Sequence, residues 1–168
     1  MKIEEAKLEF IQTWGSLGSS WGIPKSMAQI HALLLASNKL FSTEEIMETI
    51  KLSRGNVNIN LRELSNWKLA TKVNKIGERK EFFKAEYDVW TIARNIASER
   101  KKRELQPISE FLIRMKTEKL EGDKKDIKHF KELIKDLSDL VQQLEKLTDI
   151  LIRMNENAFF QKVITLMK

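Results

Sequence analysis

Residues 42–85 decide the fold that this sequence encodes. They contain STEEIMETI (42–50), SRGNVNINLRELSNW (53–67) and TKVNKIGERKEFFKA (71–85). Ser42 and Ser53 each precede a helical pattern, where a serine oxygen accepts a hydrogen bond from a free helix N–H, and Glu45 completes a capping box after Ser42. Gly77 separates two runs with β-branched and aromatic residues, which is typical of a β-hairpin. The segment therefore predicts a helix, a turn, a second helix and a hairpin: a helix-turn-helix with a wing.

The second of these helices has one apolar face. Val57, Leu61 and Leu64 recur at helical spacing, which predicts that they are buried. The rotation of about 100° per residue then turns amides, arginines and Ile59 outward. Such a face suits a DNA major groove, where Asn pairs with adenine, Arg with guanine and an aliphatic group with the thymine methyl. We expect bases to be contacted by Asn56, Asn58, Ile59 and Arg62.

The hairpin places positive charge beside this helix. The chain has 30 Lys and Arg against 24 Asp and Glu, a net charge of +6, and a clustered basic surface favours a polyanion as partner. Phosphate contacts hold a protein in register on DNA without reading its sequence. The residues that we expect to hold phosphates are Ser53, Arg54, Lys75, Arg79 and Lys80. The predicted partner is double-stranded DNA.

The rest of the chain reads as helical. An N-terminal helix, loosened at Gly15 and Gly18, ends at Pro24, and a later helical pattern is kinked or interrupted by Pro107. The last long helix carries an a/d heptad seam, and such a seam pairs helices. Its members are Phe130, Leu133, Leu137, Leu140, Leu144, Leu147, Leu151 and Met154. We expect a winged helix-turn-helix domain with its N-terminal helix over residues 1–90 and a helical dimerisation region over 91–168. Whether the seam closes a dimer or packs within one subunit stays open.

Aromatic residues offer a site for a small effector. Phe10, Trp14, Trp21 and Trp90 could line a box for a quaternary ammonium ion, which is attracted to aromatic faces. Aromatic residues at helical spacing are also the ordinary pattern of a core, and that alternative stays open.

Composition argues against catalysis and against a membrane-spanning protein. The chain has no Cys, so a disulfide scaffold, a thiolate metal site and a cysteine nucleophile are excluded. His31 lies in an apolar helical pattern and is expected to be packed, whereas His129 lies on a charged helix. No Gly-rich phosphate loop is present, and no run approaches the ~20 apolar residues of a membrane span. We expect a cytoplasmic protein that is not an enzyme and has no metal or cofactor.

The chain resembles the GbsR branch of the MarR-type winged-helix transcriptional regulators over roughly its first two-thirds. The resemblance rests on WGIP (21–24), LLLAS (33–37), SRGNVNINLREL (53–64), GERKEFFKAE (77–86), DVW (88–90) and ER (99–100). It implies a homodimeric DNA-binding protein with Ser53, Arg54, Asn56, Asn58 and Arg62 in the recognition helix. The C-terminal third resembles the family only in being helical.

The expected function is that of a repressor that binds an approximately palindromic operator as a homodimer, under the control of a small effector or of its own concentration alone. The alternative is a protein–protein adaptor that uses its C-terminal heptad helix and does not bind DNA sequence-specifically. The polar, basic outward face of residues 53–66 favours DNA.

Overall fold

The protein is mainly α-helical with one small sheet, and a computed structural model describes its residues 1–153 and 165. Met154, the last member of the heptad seam, lies outside the described residues. The chain divides into two compact units, Met1–Ile92 and Ala93–Lys168. In chain order the elements are α1 (Ile3–Ser20), α2 (Lys25–Leu35), β1 (Phe41–Ser42), α3 (Thr43–Ile50), α4 (Arg54–Asn66), β2 (Ala70–Asn74), β3 (Glu81–Ala85), α5 (Val89–Arg100), a π-helical segment (Lys101–Leu105), α6 (Gln106–Thr117) and α7 (Lys124–Arg153).

Helices α3 and α4 form the predicted helix-turn-helix. The capping box of α3 is present: Ser42 Oγ accepts from the Glu45 N–H at 3.3 Å, and the Ser42 N–H donates to Glu45 Oε2 at 2.7 Å. Ser53 Oγ caps α4 by accepting from the Asn56 N–H at 3.4 Å. Between the helices Lys51 adopts the left-handed conformation, with φ of 59°, which ends α3 and turns the chain into α4.

The predicted apolar stripe of α4 anchors this helix in the core. Val57, Leu61 and Leu64 are at most 2% exposed, and α4 packs mainly on α2 and also on α3. Burying three aliphatic side chains stabilises the docked helix by about 1.5–3 kcal/mol for each of them. The most deeply buried side chains of the first unit are Ile30, Leu34, Ile46, Val57, Leu61 and Leu64.

The wing belongs to a three-stranded antiparallel sheet in the order β1-β3-β2. β2 pairs with β3 in the register Ala70↔Ala85 to Asn74↔Glu81, as the predicted hairpin requires. At its tip the Glu78 N–H donates to the Lys75 carbonyl at 3.2 Å, and Gly77 has a φ of +85°, which a residue other than glycine rarely adopts. Strand β1, whose two residues pair with β3, was not predicted from the sequence. A run this short has no periodicity of its own. The fold class, mainly α with a winged helix-turn-helix and a helical region, is confirmed.

The glycines of α1 were wrongly predicted to loosen the helix. α1 runs unbroken from Ile3 to Ser20, and Gly15 and Gly18 are both buried against α2. A Cβ atom on Gly18 would lie 2.5 Å from the Cβ atom of Ala28, closer than two carbon atoms can pack. The two glycines therefore let two helix backbones approach each other, and tertiary packing offsets their low helix propensity.

The second unit contains a π-helical turn next to Pro107. The chain remains helical from α5 through the π-helical segment into α6, and the Gln106 N–H bonds to the Lys101 carbonyl five residues earlier. Proline lacks an N–H and its ring clashes with the carbonyl four residues before it. The wider turn accommodates this clash, so Pro107 alters the helix without breaking it.

The basic run at residues 100–103 is largely paired within this unit. Lys101 Nζ lies 2.7 Å from Asp149 of α7. Arg100 pairs with Glu104 at 3.6 Å and Arg103 with Glu99 at 3.3 Å. Lys101 therefore links the π-helical segment to α7, and the two arginines form ion pairs within their own helical stretch.

Helix α7 presents two different apolar faces. Ile134, Ser138 and Val141 are buried, and Ile134 and Val141 form a small core with Leu112 of α6. The described members of the heptad seam stay 36–62% exposed in the single chain. They are Phe130, Leu133, Leu137, Leu140, Leu144, Leu147 and Leu151. The intramolecular contact of α7 therefore uses the face beside the seam and leaves the seam open.

His31 is buried in α2 at 4% exposure, as predicted for a packed residue, and burial lowers its pKa from 6.5 to about 4. The unfolded chain therefore takes up a proton at His31 at a higher pH than the folded chain does. The stability that neutral His31 contributes is fully present above pH 6.5 and is lost as the pH decreases towards 4.

We expect the free energy of unfolding to fall by roughly 2 kcal/mol from pH 7 to pH 5 because of His31. Denaturant titrations of wild type and His31→Phe at both pH values measure this loss, and the variant should lack it. His129→Gln, on the exposed side of α7, is the matched control and should retain it. Parallel pH dependence in wild type and His31→Phe would refute the assignment.

Candidate nucleic-acid interface

The outward face of α4 is polar apart from one aliphatic side chain. Asn56, Asn58, Ile59 and Arg62, the four residues predicted to contact bases, are all exposed, and Ile59 is 64% exposed. The face has this composition because the stripe on the opposite side holds the helix rotation. Gly55 stands in open space, with no atom within 4 Å of where its Cβ atom would be. The first turn of α4 can therefore approach another surface closely.

Asn60 was not predicted to matter and occupies a central place beneath this face. It is 6% exposed, and its Nδ2 donates to the Asn56 carbonyl at 2.8 Å and lies 3.1 Å from Ser26 Oγ of α2. The same group also bonds to Asn56 Oδ1. A polar residue inside the apolar stripe was the sequence signal that could have identified it. Buried amides require partners, and here the partner is one of the residues of the exposed face.

Arg54 pairs with Glu44, a residue that was not predicted from the sequence, and Lys80 of the wing adds to the positive field at this carboxylate. Arg54 Nη2 lies 2.6 Å from Glu44 Oε1, in the first turn of α3. The pKa of the Glu44 carboxyl is lowered, first by a hydrogen bond from its own backbone, then by Arg54 and by the positive charge of Lys80. Residues from α3, α4 and the wing, far apart in sequence, thus share one patch of charge. Arg54 and Lys80, two of the predicted phosphate ligands, lie in it.

The other predicted phosphate ligands on the wing differ in their surroundings. Lys75 Nζ lies over the Phe82 ring at 3.9 Å from its centroid and 3.9 Å from Glu78 Oε1. Its ammonium group is therefore already held at the wing surface. Arg79 and Lys80 are exposed on the loop between β2 and β3. Ser53 is exposed as well, with its hydroxyl engaged in capping α4.

A cleft of about 460 Å³ separates α4 from the wing strands. Arg62 and Asn58 line it from the helix, and Lys72 lines it from β2. Lys72 pairs across the hairpin with Glu81, which also lines the cleft. Polar and charged side chains therefore line the gap between α4 and the wing, the two elements predicted to contact DNA.

The four aromatic residues predicted to form an effector box are not equivalent. The rings of Phe10 and Trp14 contact each other, with centroids 5.3 Å apart. Trp21 is 60% exposed and Trp90 is half-buried. A separate cleft of about 490 Å³ lies between α1, the end of α2 and α3, and its described lining includes Lys7, Lys39 and Phe41 but none of the four.

The described residues contain neither a cluster of metal ligands nor a membrane-spanning helix. Across residues 1–153 and 165, no group of three or more His, Asp or Glu side chains is placed to hold a metal ion. No helix in the same residues is both long and apolar enough to cross a membrane.

Comparison with known proteins identifies the fold. No protein-family model matches the chain, and no curated protein sequence matches it. A solved structure described as a transcriptional regulator superposes with a TM-score of 0.67 at 18% sequence identity, covering 88% of this chain and 97% of that one. At this identity the likeness concerns the fold alone, so this chain has the fold of a solved transcriptional regulator.

Glu44 should limit the affinity of this surface for DNA. We expect Glu44→Gln to tighten binding to duplex DNA of any sequence about two- to fivefold, because Arg54 no longer pairs with a carboxylate in competition with phosphate. Fluorescence anisotropy at several salt concentrations measures this effect. Glu132→Gln on α7 makes the same charge change beside Lys128, and should have no such effect. Weaker binding by Glu44→Gln would show that the carboxylate positions Arg54 productively.

Proposed function

We propose that this protein is a sequence-specific DNA-binding transcriptional regulator that acts as a homodimer. The observation that carries the proposal is the exposed face of α4, with its amides, Arg62 and exposed Ile59, beside a basic wing. An aliphatic side chain exposed between hydrogen-bonding groups gains nothing from water. In a major groove it contacts a thymine methyl while its neighbours read base edges.

The proposed role of each residue follows from its position. Base contacts are assigned to the outward face of α4, at Asn56, Asn58, Ile59 and Arg62. Phosphate contacts are assigned to the start of α4 and the wing, at Ser53, Arg54, Lys75, Arg79 and Lys80. Of the phosphate ligands, Arg79 and Lys80 are the most available, because Arg54 and Lys75 have carboxylates as partners in the free protein. Binding DNA would exchange those carboxylates for phosphates.

The open seam on α7 supports a homodimer. Seven described apolar side chains at a/d spacing remain exposed while the neighbouring face packs on α6. Pairing the seams of two chains would bury them and join two recognition helices in one assembly. Two such helices read two half-sites, so the operator is proposed to be an approximate palindrome.

The finer identity is proposed from sequence resemblance and fold together. The motifs at residues 21–24, 53–64 and 77–86 resemble the GbsR branch of the MarR-type regulators, and the winged fold is what that branch requires. We propose repression in the cytoplasm, and a small cationic effector held by Phe10, Trp14, Trp21 and Trp90. The contact of the Phe10 and Trp14 rings supports this site. The effector proposal fails if no quaternary ammonium compound changes affinity for the operator.

The second candidate is an adaptor that binds a partner protein through the α7 seam, and the exposed leucines of α7 favour it. Nothing in that function requires amides and arginine on α4 or basic residues on the wing. It also has no need of base selectivity, so the two functions separate in a DNA-selection experiment.

Selection from a randomised duplex library at moderate salt, followed by sequencing, tests the proposed function. We expect wild type to enrich two similar half-sites. Arg62→Ala should lose about 1–3 kcal/mol and relax preference at one base pair in each half-site. Lys80→Ala should weaken all sequences alike, because a phosphate contact carries no base information. Uniform weak binding by wild type that disappears with added salt would contradict sequence-specific regulation.

Leu147→Glu tests the homodimer. Leu147 lies in the seam at 62% exposure, so a carboxylate there would be buried without a partner in a dimer. We expect sedimentation velocity to show a dimer for wild type and a monomer for the variant. Gln142→Glu, exposed on another side of α7, is the control and should remain dimeric. A Leu147→Glu protein that is still dimeric would place the interface elsewhere.

A further inference from the structure

We propose that Asn60, which lies beneath the DNA-facing surface, is a positioning residue. It orients the Asn56 amide so that Asn56 presents its N–H donors to the base that it reads. The proposal rests on the DNA-binding function proposed above and specifies how one of its contacts achieves selectivity.

The orientation of the Asn60 amide follows from its partners. One branch of this amide lies 2.8 Å from the Asn56 backbone carbonyl oxygen, and a carbonyl oxygen only accepts hydrogen bonds. That branch is therefore the Nδ2 group and not the oxygen. Ser26 Oγ of α2, at 3.1 Å, lies near the same nitrogen and ties it to the core.

The orientation of the Asn56 amide then follows from Asn60. Asn60 Nδ2 also bonds to the side chain of Asn56, so the Asn56 atom that faces it must be the acceptor Oδ1. Asn56 Nδ2, on the other branch of the same amide, is directed away from Asn60. The backbone here is equally constrained, since the Asn56 N–H is bonded to the Ser53 cap. An exposed side chain with several rotamers is thereby held in one arrangement.

Asn58 provides the contrast on the same helix. Asn58 is exposed, and no hydrogen bond in the described structure orients its amide. It can present either its oxygen or its nitrogen to a base. Rotational freedom lost on binding weakens a contact, so a pre-oriented amide discriminates better than a free one.

The outward donor selects an acceptor on the DNA. The major-groove acceptors are the N7 atom of either purine, guanine O6 and thymine O4, whereas the cytosine edge offers only its N4 donor. Every base pair contains one purine N7, which protrudes into the groove. The ligand class assigned to Asn56 is therefore a purine N7, with adenine and guanine both allowed.

The first experiment locates this contact by selection and sequencing with wild type, Asn56→Ala and Asn60→Ala. Asn56→Ala should lose its preference at one base pair in each half-site. Asn60→Ala should broaden preference at that same pair and leave the others unchanged. Asn58→Ala is the matched control and should affect a different pair. Thermal unfolding of each variant verifies that the compared proteins are folded.

The second experiment removes the N7 acceptor from the DNA. It compares wild type only with variants of Asn56, which is exposed. The purine of the pair that Asn56→Ala identifies is replaced by its 7-deaza analogue in the enriched operator. We expect wild type to lose about tenfold in affinity and Asn56→Ala to lose nothing further. Asn56→Asp still accepts from Asn60 but presents no donor. Like Asn56→Ala, it should bind the duplex with the natural purine and the duplex with the 7-deaza purine with equal affinity.

The outcomes separate the inference from the function on which it rests. If wild type enriches no sequence, the proposed function and this inference both fail. If wild type enriches an operator but the 7-deaza purine weakens wild type and Asn56→Ala equally, only the inference is overturned. Unchanged preference in a folded Asn60→Ala protein would overturn it too.

Discussion

The burial of one side of α4 is the constraint on which the rest of this structure depends. Val57, Leu61 and Leu64 hold the helix against α2 and α3, and a helix held along three positions cannot rotate without exposing all of them. The direction of every other side chain on α4 follows from that. The polar outward face of α4 is therefore fixed by the hydrophobic contact on the opposite side of the helix.

Three basic side chains of the helix-turn-helix and wing each pair with a nearby carboxylate in the free protein. Arg54 pairs with Glu44, Lys75 with Glu78 and Lys72 with Glu81. Exposed pairs of this kind contribute little to stability because water solvates both ions well. In the proposed DNA complex their greater effect would be on binding, since each carboxylate would have to be displaced when a phosphate takes its place. Of the five residues proposed to hold phosphates, Arg54 and Lys75 therefore have carboxylate partners in the free protein, whereas Arg79 and Lys80 are exposed on the wing loop.

The two apolar faces of α7 show how one helix can serve two contacts. The face with Ile134 and Val141 completes a small core with α6. The adjoining heptad seam remains exposed in the single chain. The sequence of α7 contains an apolar stripe that is wider than a coiled-coil seam. Which part of the stripe packs within the chain, and which part stays exposed, is decided by the position of α6.

The helix-turn-helix, the caps at Ser42 and Ser53, the buried stripe of α4 and a hairpin with Gly77 at its tip could all be predicted from the sequence. These depend on local spacing and on backbone conformation, which neighbouring residues dictate. The sequence did not reveal β1, the role of Gly15 and Gly18 in packing α1 on α2, or the π-helical turn before Pro107. Tertiary packing alone pairs Glu44 with Arg54 and places Asn60 beside Ser26. These contacts join residues from different elements, and no periodicity within one helix encodes which side chain of another element will lie opposite.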